Sequence, residues 1–143
     1  MRMILISFFL PLLFLSCSRE KQVDFRIYDL DIYSIPIDEE STQQEVYASA
    51  KVEGFKTISE NGNYKFHILL EADLITPDNK VVQSIARLDT TGVQSEKFGK
   101  YLNLEVSFIL DEKYPLGKYQ ILLRGKDLMN NKVSEKRQEF TLD

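Results

Sequence analysis

From Tyr64 to Leu74 the residues Tyr64, Phe66, Ile68, Leu70, Ala72 and Leu74 alternate with Lys65, His67, Leu69, Glu71 and Asp73. A period of two puts one set on each side of an extended chain, so this run predicts a central β-strand with one buried face. The same pattern recurs. Val46, Ala48, Ala50 and Val52 oppose Tyr47, Ser49, Lys51 and Glu53, and Leu102, Leu104, Val106, Phe108 and Leu110 oppose Asn103, Glu105, Ser107 and Asp111. Tyr119, Ile121 and Leu123 oppose Gln120, Arg124 and Lys126, with Leu122 as the apolar exception. Two weaker strands are predicted: Lys80–Leu88, partly apolar on both faces, and Lys132–Leu142, a charged edge strand with Phe140 and Leu142 inward. Near the start the apolar set begins as Val23, Phe25, Ile27 and continues as Tyr28, Leu30, Ile32, a change of parity that predicts a bulge near Ile27 or Tyr28.

Turn chemistry separates these runs. Ser34–Gln44 holds Pro36 and the acidic Asp38, Glu39 and Glu40, Gly54–Asn63 holds Asn61-Gly62-Asn63, and Thr76-Pro77-Asp78-Asn79 reads as a tight turn. Asp89–Lys100 has no sustained period and predicts an ordered loop or short helix. About seven strands with no amphipathic helix favour an all-β fold, a single antiparallel sandwich whose two sheets enclose Phe66, Val106 and Ile121. Within Tyr114-Pro115-Leu116-Gly117-Lys118-Tyr119, Pro115 and Gly117 reverse the chain before a strand. This stretch resembles the E–F corner of an immunoglobulin- or fibronectin-like sandwich, which implies that the Tyr119 hydroxyl bonds back to the upstream backbone. The alternative is that Tyr119 is a core aromatic with its hydroxyl at the rim; both keep the strand.

The N-terminus changes the compartment. Arg2 precedes an apolar run from Ile4 to Leu15, shorter than the roughly 20 residues of a bilayer span but sized for a signal-peptide core. It ends in Phe14-Leu15-Ser16-Cys17, which resembles the lipobox of bacterial lipoproteins, with Phe14 departing from the usual aliphatic residue. The resemblance implies cleavage after residue 16, acylation of Cys17 and a membrane anchor in the bacterial cell envelope. Cys17 is the only cysteine, so an intramolecular disulfide is excluded; ordinary cleavage leaving a free thiol is the alternative. The chain divides into a signal peptide (1–16), a tether (17–22) and a sandwich domain (23–143).

Charge and chemistry narrow the function. Of 18 basic and 22 acidic residues only Arg2 lies in the signal peptide, so the mature chain has a net charge near −5, unsuited to nucleic acid. His67 is the single histidine, which excludes a multi-histidine metal site; it falls on a polar face and no Gly-x-Ser-x-Gly elbow appears in the chain, so a histidine-based triad is not expected. Asp29 with Asp31, and Asp127 with Asn130 and Asn131, are the candidate cation or paired-carboxylate positions, for which solvated charge and turn capping are the alternatives. No metal, cofactor or catalytic residue is assigned.

Tyr47, Leu69, Ile109 and Leu122 interrupt polar faces and, if clustered, would form a docking patch for an envelope protein. The expectation is a lipid-anchored, non-catalytic binding or interaction module. A carbohydrate- or ligand-binding accessory domain, marked by exposed aromatic rings on one face, and a structural envelope component are the alternatives.

Overall fold

A computed structural model describes residues 23–38 and 42–143. The signal peptide, Cys17, the tether, Glu39 and Glu40 lie outside the described residues. Eight strands follow one another: β1 (Arg26–Pro36), β2 (Gln44–Glu53), β3 (Ile58–Glu60), β4 (Asn63–Ile75), β5 (Val81–Gln94), β6 (Tyr101–Leu110), β7 (Gly117–Asp127) and β8 (Val133–Leu142). They form two antiparallel sheets. One has the order β1-β2-β6; in the other, β4 is flanked by β5 along its whole length on one side and by β3 and β7 on the other, with β8 outside β7. This is an immunoglobulin-like β-sandwich, with β4 central as its alternation predicts.

The inward rows meet in one core. Val46, Ala48 and Val52 from β2, Ile68, Leu70, Ala72 and Leu74 from β4, and Ile121 and Leu123 from β7 are fully buried, and Phe66 and Val106 join them.

Three expectations are corrected. The loop expected over Asp89–Lys100 is strand as far as Gln94, which pairs with Tyr64. Thr90 and Gly92 take inward positions opposite Ile68 and Phe66, and the Phe66 ring fills the space a side chain at position 92 would occupy: a Cβ there would stand 2.1 Å from Cε1 of Phe66. Buried volume comes from the neighbouring strand, so the hydrophobic period vanishes from β5. Within Gly54–Asn63 the three-residue β3 forms a hairpin with β4 across Asn61-Gly62, both at positive φ. Strand also extends at both ends of Ser34–Gln44, whose Ser34, Pro36 and Gln44 are paired; Pro36 is tolerated because β1 is an edge.

The bulge in β1 sits at Asp29 (φ 50), between Tyr28 opposite Lys51 and Asp31 opposite Ser49. Leu30 therefore points inward as expected, while Tyr28 shares the outer face with Lys51. A second bulge interrupts β5 at Ser84 (φ 48), and Asp73 of β4 fills it, accepting the Ser84 N–H at 2.9 Å and a two-pronged contact from Arg124 at 2.6 and 2.9 Å.

Candidate functional site

The two outer faces of the sandwich are chemically unlike. On the five-stranded sheet, charges pair with one another: His67 Nε2 lies 2.6 Å from Asp89 Oδ1, Arg124 grips Asp73, and Gln120 donates to Glu139. Leu69 and Leu122 are half-buried among these groups.

Strand register lays out the outer face of β1-β2-β6 as successive rows, each about 7 Å from the next. The rows read Arg26, Glu53, Tyr101; then Tyr28, Lys51, Asn103; then Asp31, Ser49, Glu105; then Tyr33, Tyr47, Ser107; then Ile35, Glu45, Ile109. Four of the seven tyrosines in the chain fall on this face. Tyr33 and Tyr47 stack with centroids 5.0 Å apart and planes 9° from parallel, and Tyr28 meets Tyr101 edge-on at 6.5 Å. Tyr33 and Tyr101 are each 42% exposed. The two aromatic pairs bracket a lower central row in which Ser49 has Asp31 on one side and Glu105 on the other.

Neighbouring charges hold the rings. The Tyr33 hydroxyl donates to Glu105 Oε2 at 3.0 Å, and that bond, with partial burial, raises its pKa; Glu45 does the same for Tyr47. Lys51 Nζ sits 5.1 Å from the Tyr101 centroid and 5.9 Å from that of Tyr28 while donating to Asp29 Oδ2 at 2.9 Å, a contact that raises the lysine pKa. Beneath this end Glu53 is 1% exposed although it belongs to the outer row. Its Oε1 accepts Arg26 Nε at 2.5 Å, and the guanidinium lies 5.1 Å from the Tyr28 centroid. Burial, then the Glu53 charge, raises the Tyr28 phenol. Glu53 Oε2 has no hydrogen-bond partner among the described residues. Glu53 thus acts from below as a support for Arg26 and Tyr28.

The candidate patch of Tyr47, Leu69, Ile109 and Leu122 is divided: Tyr47 and Ile109 lie on the tyrosine face, Leu69 and Leu122 on the opposite one. Reading residues singly missed Tyr28, Tyr33 and Tyr101. The parity of β6 already placed Tyr101 outward, whereas Tyr28 needed the position of the bulge.

Asp29 contacts Lys51 and Asp31 occupies the central row. Asp127, fully buried, spends Oδ2 on the Lys56 N–H at 2.7 Å and Oδ1 on the Met129 N–H at 2.9 Å, while Asn130 caps the Lys132 N–H. Among the described residues no three His, Cys, Asp or Glu side chains converge as a metal site. At the far end Gly117 takes a φ of +146°, and Tyr119, 1% exposed, donates its hydroxyl to the Pro115 carbonyl at 2.5 Å. The depressions nearby are open, one of about 580 Å³ lying between the Thr76–Lys80 turn and Lys113–Pro115.

No family model matches this chain, and no curated protein matches it. Among solved structures the chain is similar to a glycosyl hydrolase family 2 (GH2) member from Bacteroides cellulosilyticus DSM 14838, with a TM-score of 0.52 and 14% identity. The likeness covers 82% of this chain and 15% of that one, and at this identity it concerns the fold alone.

Proposed function

We infer that this chain is a non-catalytic binding module, anchored in the bacterial cell envelope through an acylated Cys17, whose recognition surface is the outer face of β1-β2-β6. The observation that carries this reading is the placement of two tyrosine pairs, about 13 to 20 Å apart along the strands, around the polar row Asp31-Ser49-Glu105. Rings supply apolar stacking surface, and the carboxylates and Asn103 supply hydrogen bonds to hydroxyls. That combination suits a short oligosaccharide lying along the strands better than the dry, tightly packed centre of a protein interface. A sandwich matching a small part of a glycosyl hydrolase is in keeping with a domain that works beside carbohydrate. Nothing in the reading calls for a nucleophile or base: His67 is engaged with Asp89 on the other sheet.

The test is a glycan array followed by titration calorimetry on residues 18–143. Tyr33→Ala and Tyr101→Ala should each weaken binding by about tenfold or more, while Leu122→Ala, on the opposite face, leaves it unchanged. Absence of binding to any glycan, or equal binding by all three variants, overturns the carbohydrate assignment. The anchor is tested separately: a palmitate analogue should label the full chain in cells and fail to label Cys17→Ala, and equal labelling removes the lipoprotein assignment.

A further inference from the structure

The end of the sandwich from which the chain leads back towards Cys17 is built unlike the opposite end. Val23, the 54–57 loop, the 95–100 loop and the 128–132 turn meet there. Phe55, Phe66 and Phe98 pack edge-on with centroids 4.8 to 6.4 Å apart. Phe66 is buried, while Phe55 and Phe98 are half-buried on a depression shared with Val23, Gly54, Lys97 and Lys100. Gly54, at φ +69°, lies so close to the backbone of Asp24 that a Cβ would stand 2.2 Å from its oxygen, which fixes where the N-terminal segment leaves the domain. Asp127 locks the same end by capping Lys56 and Met129.

Charge divides along the same axis. These loops carry Lys56, Lys97, Lys100 and Lys132 against Asp24, Glu96 and the buried Asp127, and Lys132 lies 3.3 Å from Asp24. Adjacent Glu60 is paired with Lys65. The opposite end carries Asp38, Asp78, Asp111, Glu112 and Asp143 against Lys80, Lys113 and Lys118, the first two of which are bound to Asp78 and Asp111. A chain of net charge −4 therefore has a basic, aromatic end and an acidic end.

We propose that the basic end is the seat of the domain on a bilayer with anionic headgroups, with Lys56, Lys97 and Lys100 facing the phosphates and Phe55 and Phe98 touching the interface. The proposal takes from the preceding reading only that the chain is held at Cys17. Five residues separate Cys17 from Val23, so a fully extended link reaches about 20 Å, and the end that bears Val23 is the one brought to the surface. Each lysine near an anionic surface favours contact roughly fivefold, and the rings add interfacial affinity. So seated, the strands stand off the bilayer and the tyrosine face points sideways into the surrounding space.

The experiment uses residues 17–143 coupled through the sole thiol, Cys17, to a maleimide-headgroup lipid in vesicles. The chain has no tryptophan, so Phe98→Trp places one reporter at the basic end and Tyr114→Trp one at the acidic end; Thr57→Trp, on the exposed rim beside Phe55, serves if Phe98→Trp perturbs folding. In vesicles of phosphatidylglycerol with brominated lipid, the basic-end reporter should be quenched and Tyr114→Trp should not. High salt, or K97E combined with K100E, should reduce the ratio of contacting to free domains by at least roughly twentyfold. Equal quenching of the two ends, equal quenching in pure phosphatidylcholine, or no quenching overturns the seat. Palmitate labelling reads the anchor independently: quenching with an unlabelled Cys17 keeps the seat and removes the natural anchor, and labelling without quenching does the reverse.

Discussion

Tyr119 and Asp73 are both polar side chains inside a fold with few of them, and each is stabilised by a different balance. The Tyr119 ring is buried against Phe140, with centroids 5.5 Å apart, and its hydroxyl reaches Pro115; burial raises its pKa. Tyr119→Phe keeps the ring and strands the carbonyl, so urea unfolding at neutral pH should show a loss of about 1–2 kcal/mol. A loss near zero would mean that the bond does not contribute. For Asp73, burial pushes the carboxyl up, but Arg124 and the Ser84 amide outweigh it and hold the pKa below its ordinary value. A folded pKa below the unfolded one, about 3.9, adds stability that is present above that value and lost as pH falls through the folded pKa. Asp73→Asn should accordingly flatten the acid limb of a stability-versus-pH curve, and an unchanged limb would reject the role. Of these two residues only Tyr119 was legible beforehand, because Pro115 and Gly117 lie beside it. Asp73 reads by alternation as a solvated residue, since its partner is 51 residues away and the bulge that buries it leaves no mark on the pattern.

Strands were legible where their own side chains fill the core, as in β2, β4, β6 and β7, and faded where a neighbour fills it. β5 is the example: Gly92 cedes its space to Phe66. Gly92→Val should destabilise by about 1–3 kcal/mol, and pairing it with Phe66→Leu should recover part of that loss in a double-mutant cycle. Strict additivity would show that the two sites do not compete for one volume. β3 has too few residues to carry a period at all. At the other edge, Lys136 and Gln138 occupy inward positions in β8 between Ser134 and Phe140 yet remain exposed, a charged interruption that keeps a sheet edge from recruiting a second chain. Lys136→Val with Gln138→Val should raise self-association in sedimentation velocity, and a variant that associates no more than the unmodified chain at high concentration would count against that role.

Over the whole molecule, what was least legible is what joins distant strands. The tyrosine face draws Tyr28 and Tyr33 from β1, Tyr47 from β2 and Tyr101 from β6, and no local window of sequence contains it. The pairing of β1 also has a mechanical consequence. Its ladder with β2 runs from Arg26 opposite Glu53 to Pro36 opposite Gln44, and the Ser134 hydroxyl of β8 accepts the Ile27 N–H at 3.0 Å on its other side. Ladder bonds lie across the strands, so a pull along β1 loads them side by side, whereas a pull from one end opens them in turn like a zip. Stretched between residues 23 and 44, the domain should yield at clearly higher force than between residues 23 and 56, and the reverse order in a single-molecule experiment would refute this. If the face binds a ligand and the chain is held upstream of residue 23, as proposed above, a tug between the far part of the face and residue 23 follows the stronger direction, which would suit the first strand to act as a strap under tension.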